Sequence, residues 1–156
     1  MEDVLEKEIA RAERDNTYLS IILLDLDLLK KLNDIGGHAT GDYALRSLAS
    51  QLTLFTRRGD TVCRYGGDEF VIILPNTTSE DAYNRAEEIR NKVAALTMLY
   101  RSGRPLRITF TAGVATYPIH GQTITETFNC ADTALYSAKQ NGRNRIELFT
   151  EEESSR

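Results

Sequence analysis

Apolar residues recur along the chain in two patterns, one with helical spacing and one typical of strands. Four segments carry an apolar stripe at helical spacing, which predicts amphipathic helices. They are 2–15 (Leu5, Ile9, Ala12), 42–56 (Leu45, Leu48, Leu52, Phe55), 79–96 (Ala82, Ala86, Ile89, Val93, Leu96) and 124–140 (Ile124, Phe128, Ala131, Leu135, Ala138). A further short helix is predicted from Leu28 to Asn33, ahead of a turn at Gly36-Gly37-His38.

The strand pattern begins with Ser20 to Leu26, a continuous apolar run that ends in acids and predicts a strand buried on both faces. The other predicted strands are short, and they are 61–65, 70–74, 107–116 and 146–148. Between the second and third strands, Gly66-Gly67 predicts a tight hairpin turn with its residues at positive φ. The stretch from Ser102 to Pro105 predicts a break in the chain.

The order of these elements predicts the fold class. Strand, helix, hairpin, helix, strand, helix and strand follow one another, which indicates an α+β fold, or α/β sandwich. We expect a mostly antiparallel central sheet flanked by helices, of the split βαβ type. Residues 1–156 are predicted to form a single domain, with 151–156 as a polar tail.

Composition narrows the possible partners and the compartment. The chain is 41% hydrophobic and 27% charged, as expected of an ordinary globular domain. A net charge of −4 argues against DNA or RNA as a partner, because binding to the phosphate backbone relies on a basic surface. No apolar run is long enough to span a bilayer, so we expect a cytoplasmic protein without membrane contact. Cys63 and Cys130 stand apart and are predicted to be reduced.

Two acidic clusters lie where predicted strands end. Asp25-Leu26-Asp27 closes the first strand, and Asp68-Glu69 follows the glycine pair. If the first strand lies beside the hairpin, the two clusters converge. Two carboxylates on adjacent strands suit a magnesium ion that keeps waters and takes substrate phosphate oxygens as further ligands. The alternative is an ordinary surface hairpin and two unrelated, solvated acid pairs.

Basic and amide side chains lie near these acids in the sequence. Lys30 follows the first cluster, where N–H groups at a helix start can meet a phosphate. Lys139 and Arg143 are spaced to share one helical face, and Asn33 and Asp42 flank the glycine-rich turn. The alternative for the basic residues is that they belong to solvated surfaces. The alternative for Asn33 and Asp42 is that they serve as helix caps or turn residues.

Four stretches carry a resemblance that covers nearly the whole chain. They are DLDLLKKLNDIGGHATGDYAL (25–45), RYGGDEF (64–70), TAGVATYP (111–118) and ADTALYSAKQNGRNRI (131–146). In this order and at these separations, they resemble the GGDEF domain of diguanylate cyclases. The resemblance implies a palm-like sheet related to those of nucleotidyl cyclases, and condensation of two GTP molecules into cyclic di-GMP with loss of two pyrophosphates.

The same resemblance implies a role for each candidate residue. Asp25 and Asp68 would bind Mg²⁺, or Mn²⁺ in its place, with the Leu26 carbonyl as a further ligand, and Glu69 would assist Asp68 in catalysis. The remaining implied contacts are Asn33 and Asp42 to the guanine edge, and Lys30, Lys139 and Arg143 to the triphosphate. An amide and a carboxylate together match the guanine edge, so such a site should reject adenine.

A regulatory site and an assembly are implied as well. Arg57 and Asp60 fit the family's RxxD inhibitory site for cyclic di-GMP. The position that would complete it aligns with Glu88, between Arg85 and Arg90, so the completing residue stays open. Each domain resembles a half-site for one GTP, which implies a two-fold homodimer for turnover.

Two further expectations concern the chain as a whole. It lacks the family's opening DxLTGLxNRR stretch, so we expect a catalytic module trimmed from a longer protein. The alternative to an active cyclase is a catalytically silent receptor that binds cyclic di-GMP through Arg57 and Asp60, or GTP through the former active site. Receptors of this kind typically have a degenerate signature, whereas Gly66-Gly67-Asp68-Glu69-Phe70 is intact.

Overall fold

The computed structural model describes residues 1–100 and 103–151. Its helices are α1 (Glu2–Asp15), α2 (Leu29–Gly36), α3 (His38–Phe55), α4 (Ser79–Ala95) and α5 (Ile124–Gln140). Its strands are β1 (Leu19–Leu26), β2 (Thr61–Arg64), β3 (Glu69–Pro75), β4 (Met98–Tyr100), β5 (Arg104–Leu106), β6 (Phe110–Tyr117) and β7 (Ile146–Leu148). The central sheet has the order β2-β3-β1-β6-β7, and its pairs are antiparallel except β6 with β7. The predicted α+β class is confirmed.

The sheet is covered on both faces, because alternate residues of each strand point to opposite sides. Ile22, Leu24 and Leu26 of β1 belong to the core beneath α3 and α4. Leu19, Ile21 and Leu23 belong to the core shared with α1 and α5. All eight residues of β1 are buried, as its continuous apolar run predicts. Asp25 follows the second alternation, which directs it towards the α5 side of the sheet.

Helix α5 lies unusually close to the sheet at Gly113. A Cβ atom at this position would lie 2.2 Å from the Ala131 carbonyl oxygen and 2.3 Å from the Leu135 nitrogen. Only a residue without a side chain permits this approach of helix to strand. The close contact sets the height of α5 above β6 one turn before Lys139, so it helps to place that side chain.

Several predicted element boundaries differ from the structure. Helix α3 begins at His38 rather than Asp42, directly after Gly37, which adopts a φ of 84°. Strand β6 begins at Phe110 rather than Arg107. The β4–β5 ribbon lies where a break in the chain is predicted. The sequence does not predict it because three-residue strands are too short to show a period. Ser102, and residues 152–156 of the predicted tail, lie outside the described residues.

The hairpin at Gly66-Gly67 forms, but not with the predicted turn. Strands β2 and β3 pair antiparallel, with residues 65–68 between them. Neither glycine adopts the left-handed backbone, so the expectation of positive φ is wrong. A four-residue connection does not need the primed turns that two-residue hairpins require. A Cβ atom at position 67 would meet nothing within 4 Å, which leaves the backbone of this loop open to approach.

Two predictions from composition can be compared with the structure, one on membrane-spanning helices and one on the cysteines. None of the helices in the described ranges combines the length and the apolar character needed to cross a membrane. Cys63 and Cys130 are both free, as predicted.

Candidate active site

The two acidic clusters meet at one end of the sheet. Strand β1 lies between β3 and β6, and Asp25 is paired with Glu69 in the β1–β3 register. The Leu26 N–H donates to the Asp68 carbonyl oxygen at 3.1 Å, which ties the end of β1 to the loop after the glycine pair. The carboxyl groups of Asp25 and Asp68 are close enough to interact directly. The expected convergence of these acids therefore occurs.

The environment of Asp25 is suited to a cation. The pKa of Asp25 is raised from 3.8 to about 6, because the effects of burial and of the neighbouring Asp68 together outweigh the opposing effect of Lys139. Lys139 Nζ donates to Asp25 Oδ2 at 2.6 Å. The other oxygen, Oδ1, is buried and has no hydrogen-bond partner among the described residues. A buried carboxylate oxygen without a donor, next to a second acid, is stabilised when a cation binds there.

The donor set fits magnesium in particular. Within residues 1–100 and 103–151, no group of three or more His, Cys, Asp or Glu side chains is arranged to hold a metal. Asp25 and Asp68 offer two carboxylates, so a metal held between them would need other ligands to complete its shell. Magnesium commonly binds in this way, through one or two carboxylates, several waters and the phosphates of a substrate.

A cleft of about 540 Å³ opens beside these acids. Its walls include seven of the residues singled out from the sequence, which are Asp25, Leu26, Asp27, Lys30, Asp68, Lys139 and Arg143, and also Lys31 and Asp34. The cations come from two directions, because Lys30 and Lys31 lie in the first turn of α2 while the other two lie at the end of α5 and just beyond it. The cleft thus combines four carboxylates with four positive charges, a combination that suits a polyphosphate bound together with a metal.

Asn33, Asp42 and Glu69 are not among the residues that line this cleft. Asn33 lies on α2 and Asp42 on α3. A Cβ atom at Gly41 would lie 1.9 Å from Asn33 Oδ1, so glycine at position 41 leaves room for the Asn33 side chain between the two helices. Asn33 Oδ1 is also buried without a partner among the described residues, while Asp42 is exposed.

The glycine loop is braced by Arg64, to which sequence reasoning assigns no role. The Arg64 side chain donates to the carbonyl oxygens of Gly66, at 3.3 Å, and of Gly67. Glu69 packs back onto the same loop, with its Oε2 3.2 Å from the place a Cβ of Gly66 would take. The only sequence signal for Arg64 is its position directly before the loop, within the RYGGDEF stretch.

Asp27 lines the same cleft as Asp25 and Asp68, but its carboxylate already has donors of its own. Its carboxylate accepts hydrogen bonds from the hydroxyls of Thr109 at 2.7 Å and Thr111 at 2.5 Å. It also accepts from the Asn144 N–H at 3.1 Å. These donors satisfy Asp27 and direct it to the β6 side, so proximity to Asp25 in the sequence does not predict its role.

The RxxD segment forms a second polar site before β2. The Asp60 carboxylate accepts from the Arg57 N–H at 2.8 Å and forms an ion pair with Arg85 of α4. The Asp60 side chain is only 5% exposed and that of Arg85 12%, whereas Arg57 is exposed. Glu88 instead pairs with Lys92, and Arg90 with Glu87. The structure therefore places Arg85, of the three open positions, beside Asp60.

Comparison with known families agrees with this fold. The profile of the family described as "Diguanylate cyclase, GGDEF domain" matches residues 1–145. This chain belongs to the GGDEF domain family of diguanylate cyclases. Diguanylate cyclase A of Treponema denticola is 41% identical over 130 residues, which are 83% of this chain and 35% of that protein. The chain thus spans about a third of the length of that relative.

Solved structures show the same fold. The GGDEF domain of DgcB from Caulobacter crescentus, in complex with c-di-GMP, has a TM-score of 0.88 and 33% identity, over 94% of this chain and 86% of that one. The active GGEEF domain of a diguanylate cyclase from Vibrio cholerae has a TM-score of 0.85 and 35% identity, over 93% of this chain and 91% of that one.

Proposed function

We propose that this GGDEF domain is a magnesium-dependent diguanylate cyclase that condenses two GTP molecules into cyclic di-GMP. The observation that carries the proposal is Asp25 Oδ1, which is buried, has no hydrogen-bond partner among the described residues and lies beside Asp68 in a cleft that four cationic side chains also line. Such an arrangement is unfavourable by itself, and a metal with a polyphosphate would satisfy both its acids and its bases.

Asp25 and Asp68 would hold Mg²⁺, or Mn²⁺ in its place, with the Leu26 carbonyl as a further ligand. When bound, the ion would neutralise negative charge on the phosphates as the transition state forms. Lys139 already contacts Asp25 Oδ2, so it lies within reach of both the metal-binding acid and a bound phosphate. Glu69, paired with Asp25 in the sheet register, would support Asp68 in the same region.

The nucleotide would be held at two places. Lys30, Lys139 and Arg143 would bind the triphosphate in the cleft, and the first-turn N–H groups of α2 would add to its binding. Asn33 and Asp42 would hydrogen-bond the guanine edge at the α2–α3 contact. The buried Asn33 Oδ1, which has no partner among the described residues, supports this assignment, because the N1–H or the 2-amino group of guanine would satisfy it and adenine has neither of these donors.

The proposed chemistry is the same transfer carried out twice. The 3′-hydroxyl of one GTP attacks the α-phosphorus of the other, forming a P–O bond as the bond to pyrophosphate breaks. Two such steps close the ring and release two pyrophosphates. Because each chain supplies one half-site, the active species would be a two-fold homodimer with the two GTP molecules facing each other.

We place a product-inhibition site at Arg57 and Asp60. The exposed Arg57 guanidinium is free to stack on a guanine or to contact a phosphate, and Asp60 is already positioned by Arg85. The complex of the related DgcB domain with c-di-GMP supports a ligand of this kind. Arg85 would complete this site in the role that alignment leaves open.

A turnover assay tests the enzymatic proposal. The purified protein is incubated with GTP and Mg²⁺ at high protein concentration, and cyclic di-GMP and pyrophosphate are quantified. We expect both products, with no turnover of ATP, none after chelation of the metal and none from Asp68→Ala. A version dimerised through a fused coiled coil that still makes no cyclic di-GMP would overturn the proposal.

The same samples distinguish the receptor alternative. Titration of cyclic di-GMP into wild type and Arg57→Ala measures binding at the RxxD site independently of turnover. Binding that depends on Arg57, without any product from the dimerised version, would identify a receptor.

A further inference from the structure

The turn after α5 holds an unusual backbone conformation at the edge of the cleft. Gly142, Arg143 and Asn144 have φ values of 117°, 62° and 46°. A side chain in the left-handed region is sterically unfavourable, and two such residues in succession persist only where neighbouring groups hold them. Arg143 lines the cleft, so the groups that hold this turn also fix the backbone position from which the Arg143 side chain extends.

One side of the turn is held by a buried carboxylate. The Asn144 N–H donates to Asp27 Oδ2 at 3.1 Å and to the Thr111 hydroxyl at 3.0 Å. Asp27 is fixed in turn by the Thr109 and Thr111 hydroxyls, and only 7% of it is exposed. A carboxylate in a pocket of this kind, with three donors, has little freedom to move.

The opposite side of the turn is held from α4. Arg90 Nη1 donates to Asn144 Oδ1 at 3.0 Å and to the Asn144 carbonyl oxygen at 3.3 Å. Glu87 holds the same guanidinium through bonds of 2.9 and 3.0 Å. Asn144 is thus bound through its N–H on one side and through its oxygens on the other.

We propose that Asp27 and Arg90 are positioning residues for nucleotide binding: through Asn144 they hold the left-handed turn that presents Arg143 to the triphosphate. This inference rests on the proposed function of Arg143. Asp27 lies two residues from Asp25, yet its carboxylate is used to shape the backbone on the far side of the cleft. A merely structural role would lower stability without acting specifically through Arg143.

A double-mutant cycle separates these possibilities. The affinity for guanosine 5′-(α,β-methylene)triphosphate, a non-reactive analogue, is measured with Mg²⁺ by calorimetry for wild type, Asp27→Asn, Arg143→Ala and the double variant. We expect roughly tenfold weaker binding from Asp27→Asn, the scale typical when a residue that orients a ligand group is changed. The double variant should bind no more weakly than Arg143→Ala alone.

Two further variants keep the test decisive. Arg90→Ala removes the contacts that hold the same turn from α4, so it tests the inference even if Asp27→Asn fails to fold. In the Arg143→Ala background, Arg90→Ala should not weaken analogue binding further. Thr116→Val is the matched control, because it removes a buried hydrogen bond to Ser20 at the opposite end of the sheet. It should lower the melting temperature and leave analogue affinity unchanged.

The outcomes separate this inference from the proposed function. Normal analogue binding by wild type, with equal affinity in Asp27→Asn or Arg90→Ala, overturns the inference and leaves the function intact. The inference is also overturned if the double variant loses analogue affinity by the product of the two single losses, because the two residues then act independently. A wild type that binds no analogue contradicts the proposed function, and the inference with it.

Discussion

The cleft and the RxxD segment are two polar sites that treat their carboxylates in opposite ways. In the cleft, Asp25 is buried beside Asp68 and keeps one oxygen without a partner among the described residues. In the RxxD segment, Asp60 is buried as well, but the Arg57 N–H and the Arg85 guanidinium satisfy it. Under the proposed function, a cation would complete the first site, whereas the second would bind a ligand that brings no metal.

The contrast would allow one small domain to hold the two sites that we propose for guanine nucleotides. A metal site leaves acids without donors and so costs stability, whereas removing one partner of a buried arginine–aspartate pair leaves the other charge uncompensated. Changing one charged residue in each site should therefore have opposite consequences for stability and function.

The largest expected effect is on turnover. Asp68→Asn should lower the rate of cyclic di-GMP formation about a hundredfold to a thousandfold, the scale of removing a group that stabilises transition-state charge. Stability should not fall, because the change removes the repulsion that raises the pKa of Asp25. Initial rates and urea unfolding measure the two quantities. Asp132→Asn, an exposed acid on α5, is the control that should behave as wild type. A large loss of stability in Asp68→Asn would contradict this view of the cleft.

The second expected effect concerns the RxxD site. Arg85→Ala leaves the buried Asp60 without its ion-pair partner, so it should cost roughly 3 kcal/mol of the free energy of unfolding. It should also weaken cyclic di-GMP binding, while turnover at low product concentration is retained. Glu88→Gln is the matched control on the same helix, since the pair that Glu88 forms with Lys92 is exposed and should contribute little to stability. If Glu88→Gln changed cyclic di-GMP binding and Arg85→Ala did not, the assignment of Arg85 would be wrong.

The third expected effect is on stability, and it compares a glycine packed against α5 with a glycine in the open loop beside the cleft. Gly113→Ala places a methyl group against the backbone of α5, so it should destabilise the fold by about 1–3 kcal/mol and displace Lys139. Gly67→Ala adds a methyl group in open space and should stay within about 0.5 kcal/mol of wild type. Guanidinium unfolding of the two variants gives the comparison. Equal stabilities would contradict the close approach at Gly113.

The smallest effect lies at the opposite end of the sheet from the cleft. His120 Nδ1 accepts the Thr116 N–H at 3.0 Å, and burial lowers the pKa of His120 below its usual 6.5. The unfolded chain therefore takes up this proton first as the pH falls. The contribution of neutral His120 to the free energy of unfolding is fully present above pH 6.5 and declines as the pH falls below it.

His120→Asn keeps an acceptor but cannot titrate in this range, which isolates the effect. Unfolding free energies of both proteins at pH 7.5 and 5.5 give the difference, and wild type should lose more than the variant on acidification. Asp25 acts in the opposite direction, because its pKa is raised to about 6, but it acts equally in both proteins. An identical pH dependence in both would show that His120 does not titrate on unfolding.

Much of the fold could be predicted from local pattern. Strand β1 and helices α1, α4 and α5 have strong apolar periods, and the predicted segments match them closely. The β4–β5 ribbon could not be predicted, because Gly103 and Pro105 have low strand propensity and each strand is only three residues long. The early start of α3 depends on Gly37, whose backbone conformation is not visible in a hydrophobic pattern.

The candidate site was predictable only in part. Asp25 and Asp68 could be identified because each follows a buried strand, and polar residues there tend to gather at one edge of a sheet. Asp27 looked equivalent to Asp25 in sequence, but the threonines of β6 bind it. Arg85 could not be distinguished from Arg90 and Glu88, because only the distance between α4 and the segment before β2 selects it.

By itself, the amino-acid order of this chain determined which segments become helices and strands and which side chains bring charge to the strand ends. It could do so because apolar periodicity and chain punctuation act over a few residues. The tertiary structure alone decided which charges are left without partners and which are neutralised. That outcome depends on contacts between residues far apart in the chain, such as Lys139 with Asp25 and Arg85 with Asp60.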